Sequence, residues 1–260
     1  MDKLENKKLA IIGIGHLGRA IYKGLINSGF KKENIILSNS SKNNKKAVLQ
    51  ANWILLCVKP LLVHQVVSEI KNYLKDKLLI SAAAVVSIGT IAKHTRNKKQ
   101  KIIRIMPNIN VVFNQGVIGF YANRFVSGKD KKQLRLLLSR LGTVIKTKDE
   151  RHLDSLTLIS ACGPGYFAYL MQNVEKITKS YGFSADESQK ITLQTLLGTV
   201  THLLKTNMST KALVESVATK GGITGEIIKI LDQENFPDII RLALDGGFKK
   251  IGLLTEKLTL

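Results

Sequence analysis

Apolar positions in the first half of the chain come in short runs separated by amphipathic stretches. Residues 9–14, 34–38, 53–58, 78–82, 101–106, 117–121 and 143–146 read as strands. The run Trp53-Ile54-Leu55-Leu56-Cys57-Val58 is apolar without alternation, as expected of a parallel strand covered on both faces. Between these runs the period changes. Leu62, Val66, Ile70 and Leu74 recur at helical spacing, and residues 19–28, 43–52 and 129–141 also read as helices. Strands alternating with helices predict an α/β, doubly wound, mostly parallel sheet. From about Asp149 onward only helical periods stand out, over 153–160, 166–181, 185–206, 210–218, 225–233 and 237–254. The expected division is therefore a sheet domain over 1–150 and an all-helical domain over 151–260.

The first strand runs into Gly13-Ile14-Gly15-His16-Leu17-Gly18, which opens the first helix. In that context the three glycines let bare backbone approach a pyrophosphate, whose charge rests on the helix N-terminus. Arg19 either adds a charge near the phosphates or faces solvent. After the second strand, a dinucleotide-binding domain selective for NAD carries a carboxylate for the ribose hydroxyls. Here the strand ends in Ser38-Asn39-Ser40-Ser41-Lys42. Hydroxyls, an amide and a lysine suit a 2′-phosphate better, so NADP is favoured, with NAD as the alternative. Only 14 residues separate Ser38 from Trp53, room for one short helix. One edge strand of the usual order is therefore expected to be missing, leaving the second strand at the edge.

Composition narrows the class. With 44% hydrophobic and 23% charged residues the chain is not disordered as a whole, and two cysteines exclude a disulfide scaffold. No apolar run reaches the roughly 20 residues of a membrane span, and the charged N-terminus does not read as a secretory signal. The expected location is the cytoplasm. Forty Lys+Arg against 19 Asp+Glu give a formal charge of +21, which fits anionic partners, nucleic acid among them. The basic pairs are scattered at turns, however, and aromatics are 6% of the chain, leaving few stacking platforms. A solvated, lysine-rich surface is favoured over a nucleic-acid face.

Identification comes from the order of further motifs. Val58-Lys59-Pro60, Ser81-Ala82-Ala83-Ala84 and Arg104-Ile105-Met106-Pro107-Asn108 close successive strands. Cys162-Gly163-Pro164-Gly165-Tyr166, Gln194-Thr195 with Gly198, and Thr219-Lys220-Gly221-Gly222-Ile223-Thr224 follow. In that order they resemble the pyrroline-5-carboxylate reductase family over nearly the whole chain. The resemblance implies a Rossmann-type domain, a helical C-terminal domain that interlocks into homodimers, sometimes into larger rings, and reduction of a cyclic imine to L-proline by a nicotinamide dinucleotide. It assigns Gly13, Gly15, His16, Leu17 and Gly18 to the pyrophosphate and Ser38, Asn39 and Ser40 to the adenosine ribose. Val58, Lys59, Pro60, Ala83, Met106 and Asn108 would line the nicotinamide end. Thr219, Lys220, Gly221, Gly222 and Thr224 would hold the imino acid, Thr224 being the candidate to orient the ring nitrogen or pass a proton. No metal is expected. The family's Ala-Gly pair stands here as Ala84-Val85, its loop proline as Lys220, and its loop serine as Thr219.

Two other readings compete: a slow or regulatory relative that binds dinucleotide or imino acid, and a basic nucleic-acid binder on the same fold. His64, His94 and His202 read as structural, and Cys162 as a packing residue. His152 beside Asp154 reads as a pair at the domain junction.

Overall fold

The computed structural model describes residues 7–259. By its contacts the chain divides into a unit that runs to Pro164 and takes in the chain again from Gly247, and a second unit, Gly165–Gly246.

The first unit is built on seven strands: β1 (Leu9–Ile12), β2 (Ile35–Ser38), β3 (Trp53–Leu56), β4 (Leu78–Ser81), β5 (Lys101–Pro107), β6 (Gly116–Ala122) and β7 (Gly142–Lys146), in the order β2-β1-β3-β4-β5-β6-β7. The first five are parallel. β6 runs antiparallel to β5, with Met106 opposite Gly119, and β7 is parallel to β6. As expected from the short connection, β2 is the edge, and a single helix, α2 (Ser41–Gln50), carries the chain from it to β3.

Strand alternation sorts the core. Leu9, Ile11, Trp53, Leu55 and Ile80 point to one face, which Ile21 and Leu25 of α1 (His16–Asn27) and Leu134 and Leu138 of α5 (Gly128–Leu138) cover. Ala10, Ile12, Ile54, Leu56 and Leu79 point to the other. There they meet Val48 of α2, Val67 and Ile70 of α3 (Val63–Ile70), and Ile91 of α4 (Ile88–Lys93). Because both faces are covered, β1, β3 and β4 are buried at every position, which is why their sequences do not alternate.

Two features depart from the sequence reading. The α4 helix was not anticipated. The stretch read as a helix over 153–160 is α6 (His152–Leu156) followed by a wider π turn, Thr157–Ala161, closed by the Cys162 N–H on the Thr157 carbonyl at 2.8 Å. The Gly163-Pro164-Gly165 punctuation does not interrupt α7 (Gly163–Ser180) but starts it, with Pro164 in the first turn, where its missing N–H costs nothing.

The second unit contains the body of α7, then α8 (Ala185–Thr206), α9 (Thr210–Val217), α10 (Ile223–Gln233) and the first part of α11 (Phe236–Thr259). Ser184 caps α8 in a reciprocal box with Glu187. Few side chains here are buried: in α8 only Ser188 and Thr192.

Candidate functional site

The glycine turn sits where strand order reverses, between β1 and its two neighbours β2 and β3, at the carboxyl ends of the parallel strands. That is the place where open α/β sheets bind ligands. Its glycines have different physical duties. Gly13 adopts φ +97°, and a Cβ there would come within 2.7 Å of the Cys57 backbone. A Cβ on Gly18 would collide with the Gly13 carbonyl oxygen, so this glycine lets α1 close on the strand ends. At Gly15 a Cβ would meet nothing within 4 Å. The turn is shut at two glycines and open at the third, so bare backbone at the N-terminus of α1 faces free space. This suits a pyrophosphate. His16 is exposed there, whereas Leu17 packs on the first core. Arg19 is exposed to solvent, and its Nε–H donates back to the Ile14 carbonyl at 3.0 Å and latches the turn.

Beside this turn lies a cleft of about 230 Å³ that brings together Gly13, Asn39, Ser40 and Val58. Ser38 is buried just behind, its hydroxyl donating to Asn44 Oδ1 at 2.7 Å, so it shapes the cleft rather than reaching into it. Sequence reasoning missed the far wall. Asn44, on the inner face of α2, passes a 3.2 Å hydrogen bond from Nδ2 to Glu69 of α3, and Gln65 Nε2 donates to the same carboxylate at 3.2 Å. A carboxylate thus lines the cleft, supplied by α3 instead of the end of β2. Only its position one residue before the buried Ile70 could have hinted at it.

Farther along the strand ends, Lys59 is exposed and Pro60 starts a short 3₁₀ turn, while Ala83, Met106 and Asn108 are buried. Asn108 is used structurally: Oδ1 accepts from the Val117 N–H at 3.3 Å, and Nδ2 donates to Ser160 at 3.4 Å. Val85, in the loop after Ala83, holds φ +60°. That left-handed backbone suits glycine and is an outlier for a β-branched residue. The loop is anchored just downstream, where the Ile88 N–H donates to Glu150 Oε1 at 2.6 Å. Arg104, 3% exposed on β5, holds that same oxygen at 2.8 Å and Asp154 at 3.4 Å. Cys57, partly covered and packed on the first core, has its thiol pushed up to about 12 by burial.

In the second unit, the turn between α9 and α10 forms its own recess of about 450 Å³. Thr219, Lys220, Gly221 and Gly222 line it, together with Glu226 and Lys229, which pair at 3.2 Å. Gly221 takes φ +77°, and a Cβ on Gly222 would press on Thr219 Oγ1 at 2.5 Å. Gly222 is the N-cap of α10 and offers no side-chain cap, leaving first-turn amides free for a carboxylate. Thr224, half-buried, is the second residue of that helix. The structure therefore gathers Thr219, Lys220, Gly221 and Gly222 on one recess, within a different unit from the predicted dinucleotide residues, whereas Thr224, in the first turn of α10, is not among the residues that line it. His152 pairs with Asp149 at 3.3 Å rather than with Asp154. Among the described residues no group of three or more His, Cys, Asp or Glu side chains could hold a metal, and no helix is long and apolar enough to cross a membrane.

A glycine turn at the switch point of a doubly wound sheet places the chain in the class of dinucleotide-binding Rossmann-type proteins, here followed by a helical unit with a glycine turn of its own. The profile of pyrroline-5-carboxylate reductase dimerisation domains matches residues 150–252, and that of coenzyme F420-dependent NADP oxidoreductases matches 8–47 and 40–85. The chain is 27% identical to the pyrroline-5-carboxylate reductase of Pseudomonas aeruginosa over 98% of its own length and 99% of the relative's. It is 26% identical to pyrroline-5-carboxylate reductase 2 of Bacillus subtilis, covering 96% of each chain. Among solved structures, the NADP-bound pyrroline carboxylate reductase of Plasmodium falciparum matches with a TM-score of 0.88 at 27% identity, over 96% of this chain and 99% of that one. The Coxiella burnetii enzyme matches at 0.87 and 26%, over 95% and 98%. Over nearly its whole length the chain is thus similar to pyrroline-5-carboxylate reductases in sequence and in fold.

Proposed function

We propose that this protein reduces 1-pyrroline-5-carboxylate to L-proline with NADPH, residues 1–150 holding the dinucleotide and residues 151–260 the imino acid and the dimer contact. The observation that carries this reading is the open backbone at Gly15, framed by two glycines that cannot take a side chain. It fits a dinucleotide's diphosphate, and proteins similar over nearly the whole chain are named pyrroline-5-carboxylate reductases, one of them solved with NADP bound.

Gly13, Gly15, His16, Leu17 and Gly18 hold the diphosphate. Asn39 and Ser40, with Ser38 supporting them, face the 2′-phosphoribose. Val58, Lys59, Pro60 and Ala83 flank the nicotinamide, with Met106 and Asn108 setting the strand ends behind it. The bound dinucleotide supplies the hydride. The chain's own residues position the imine and handle the proton. The carboxylate of the imino acid rests on the free amides that open α10 and is attracted by Lys220. Glycines at 221 and 222 turn the chain so that those amides converge. The Thr224 hydroxyl meets the ring nitrogen, donating to it as the carbon accepts hydride. Positioning and exclusion of water account for most of the acceleration. The assembly is a homodimer through the helical unit, with rings of dimers as the next level. The location is the cytoplasm, in keeping with two cysteines that form no disulfide.

The test is consumption of NADPH by purified protein given the imine, run beside NADH. Thr224→Ala should lower kcat by about a hundredfold while the melting temperature stays put. NADPH binding without turnover of the imine would overturn the assignment.

A further inference from the structure

The first unit contains a second cavity, of about 430 Å³, between α3, α4 and the last turns of α11. Its volume lies in the range of small-molecule sites, and its wall divides by chemistry. Val63, Val86, Ile91 and Leu258 make an apolar floor. Every ionisable side chain on the wall is basic: His64, Lys93, His94 and Lys257. The sequence reading set His64 and His94 aside as separate structural residues. Folded, their rings stand 5.8 Å apart between centroids, inclined at 48°.

None of these four groups takes part in any of the ion pairs among the described residues. A concave wall with cations on one side and hydrocarbon on the other concentrates positive potential where a ligand can be desolvated. Solvated surface lysines would gain nothing from such a shape. The effect reaches His94, whose imidazole is held below the ordinary range by burial and then by His64, Lys71 and Lys93. An anion in the cavity would relieve that crowding of like charge.

We propose that this cavity binds a small organic anion, a carboxylate or phosphate monoester with a compact apolar body, its head among His64, Lys93, His94 and Lys257 and its body on Val63, Val86 and Ile91. The cavity shares none of its lining with the glycine turn, and it meets the proposed nicotinamide end only at Pro60, on its rim; its basic head does not depend on the imine reductase reading.

Histidine Cε1–H NMR on the full chain tests it, because the five histidines include a reporter in each place. Phenyl phosphate and benzoate are titrated separately, with benzyl alcohol as the uncharged counterpart. The His64 and His94 resonances should shift and saturate with at least one of the anions, the tighter of the two identifying the head group, and should ignore the alcohol. His16, in the glycine turn, reports any anion captured there and should stay in place over the same range. A Lys93→Ala/Lys257→Ala variant, altered only at exposed side chains, should bind the anion about tenfold more weakly. Failure of both anions to move His64 and His94, a shift confined to His16, equal response to the alcohol, or unchanged affinity in the double variant would overturn the proposal.

Discussion

Gly15 and Gly18 are three positions apart in one motif, yet only one is required by packing. A methyl on Gly18 would strike the Gly13 carbonyl and crowd the Cys57 side chain at 3.3 Å, whereas a methyl on Gly15 would enter open space. Gly18→Ala should therefore cost about 2 kcal/mol or more in urea unfolding, as overpacking does. Gly15→Ala should stay within about 0.5 kcal/mol of the parent and weaken NADPH about tenfold in a fluorescence titration. Equal loss of stability in both would mean the turn is not open at Gly15. Val85 is the converse case, a side chain where the backbone prefers none. Cutting a relaxed buried valine to glycine costs about 3 kcal/mol from lost burial and added chain freedom. Here the change also releases a left-handed valine, worth about 1–2 kcal/mol. Val85→Gly should thus cost only about 1–2 kcal/mol, and a loss near 3 would show that the loop carries no strain. The glycine motif was legible from the chain alone because glycine spacing is a backbone property. Glu69 was not, since an i,i+4 contact with Gln65 on its own helix marks no site, and its partner Asn44 is identified only once α2 and α3 lie side by side.

At the scale of elements, uniform apolar runs located the parallel strands, and a 14-residue gap announced that β2 would be an edge. What escaped was α4, six residues with only Ile88 and Ile91 buried, too short to establish a period. Its start is fixed instead by the Ser87 cap and by Glu150 reaching across 62 positions. Missing α4 also meant missing that His94, at its C-cap, would come up to His64 on α3. The pairing has a consequence for acid stability. With its folded pKa depressed, His94 takes up a proton more readily when unfolded, so its contribution is intact above the ordinary range near 6.5 and declines as pH falls below it. Urea midpoints compared at neutral and mildly acidic pH should drop less in His94→Gln than in the parent. A drop of the same size would remove His94 as the source.

For the molecule as a whole, the two units differ in how their apolar residues are spent. The sheet unit has two buried clusters, one on each face. The helical unit presents its apolar residues to solvent: along α8, Leu193, Leu197, Val200 and Leu204, each 47–74% exposed, recur at helical spacing. Single exposed leucines are ordinary, but a continuous stripe from Leu193 to Leu204 along a 22-residue helix is what an interface looks like before its partner arrives. The match of residues 150–252 to a dimerisation domain supports oligomerisation through this unit. In the sequence, helical period was readable there, but inside and outside were not, because the amphipathic pattern counts a subunit contact as core. Light scattering should therefore give a mass at least twice 28.8 kDa. Leu197→Asp/Leu204→Asp, which places two charges on the stripe, should shift the protein toward monomer by burying unpaired carboxylates in the contact. Its NADPH affinity should change by less than about threefold, since distant, independent sites act additively and the glycine turn is closed within the sheet unit, by β1, β2, α1 and the residues that follow β3. A variant that keeps the parent's mass would place the contact on another face, and one that loses NADPH binding with the dimer would show that the dinucleotide site is not complete within a single sheet unit.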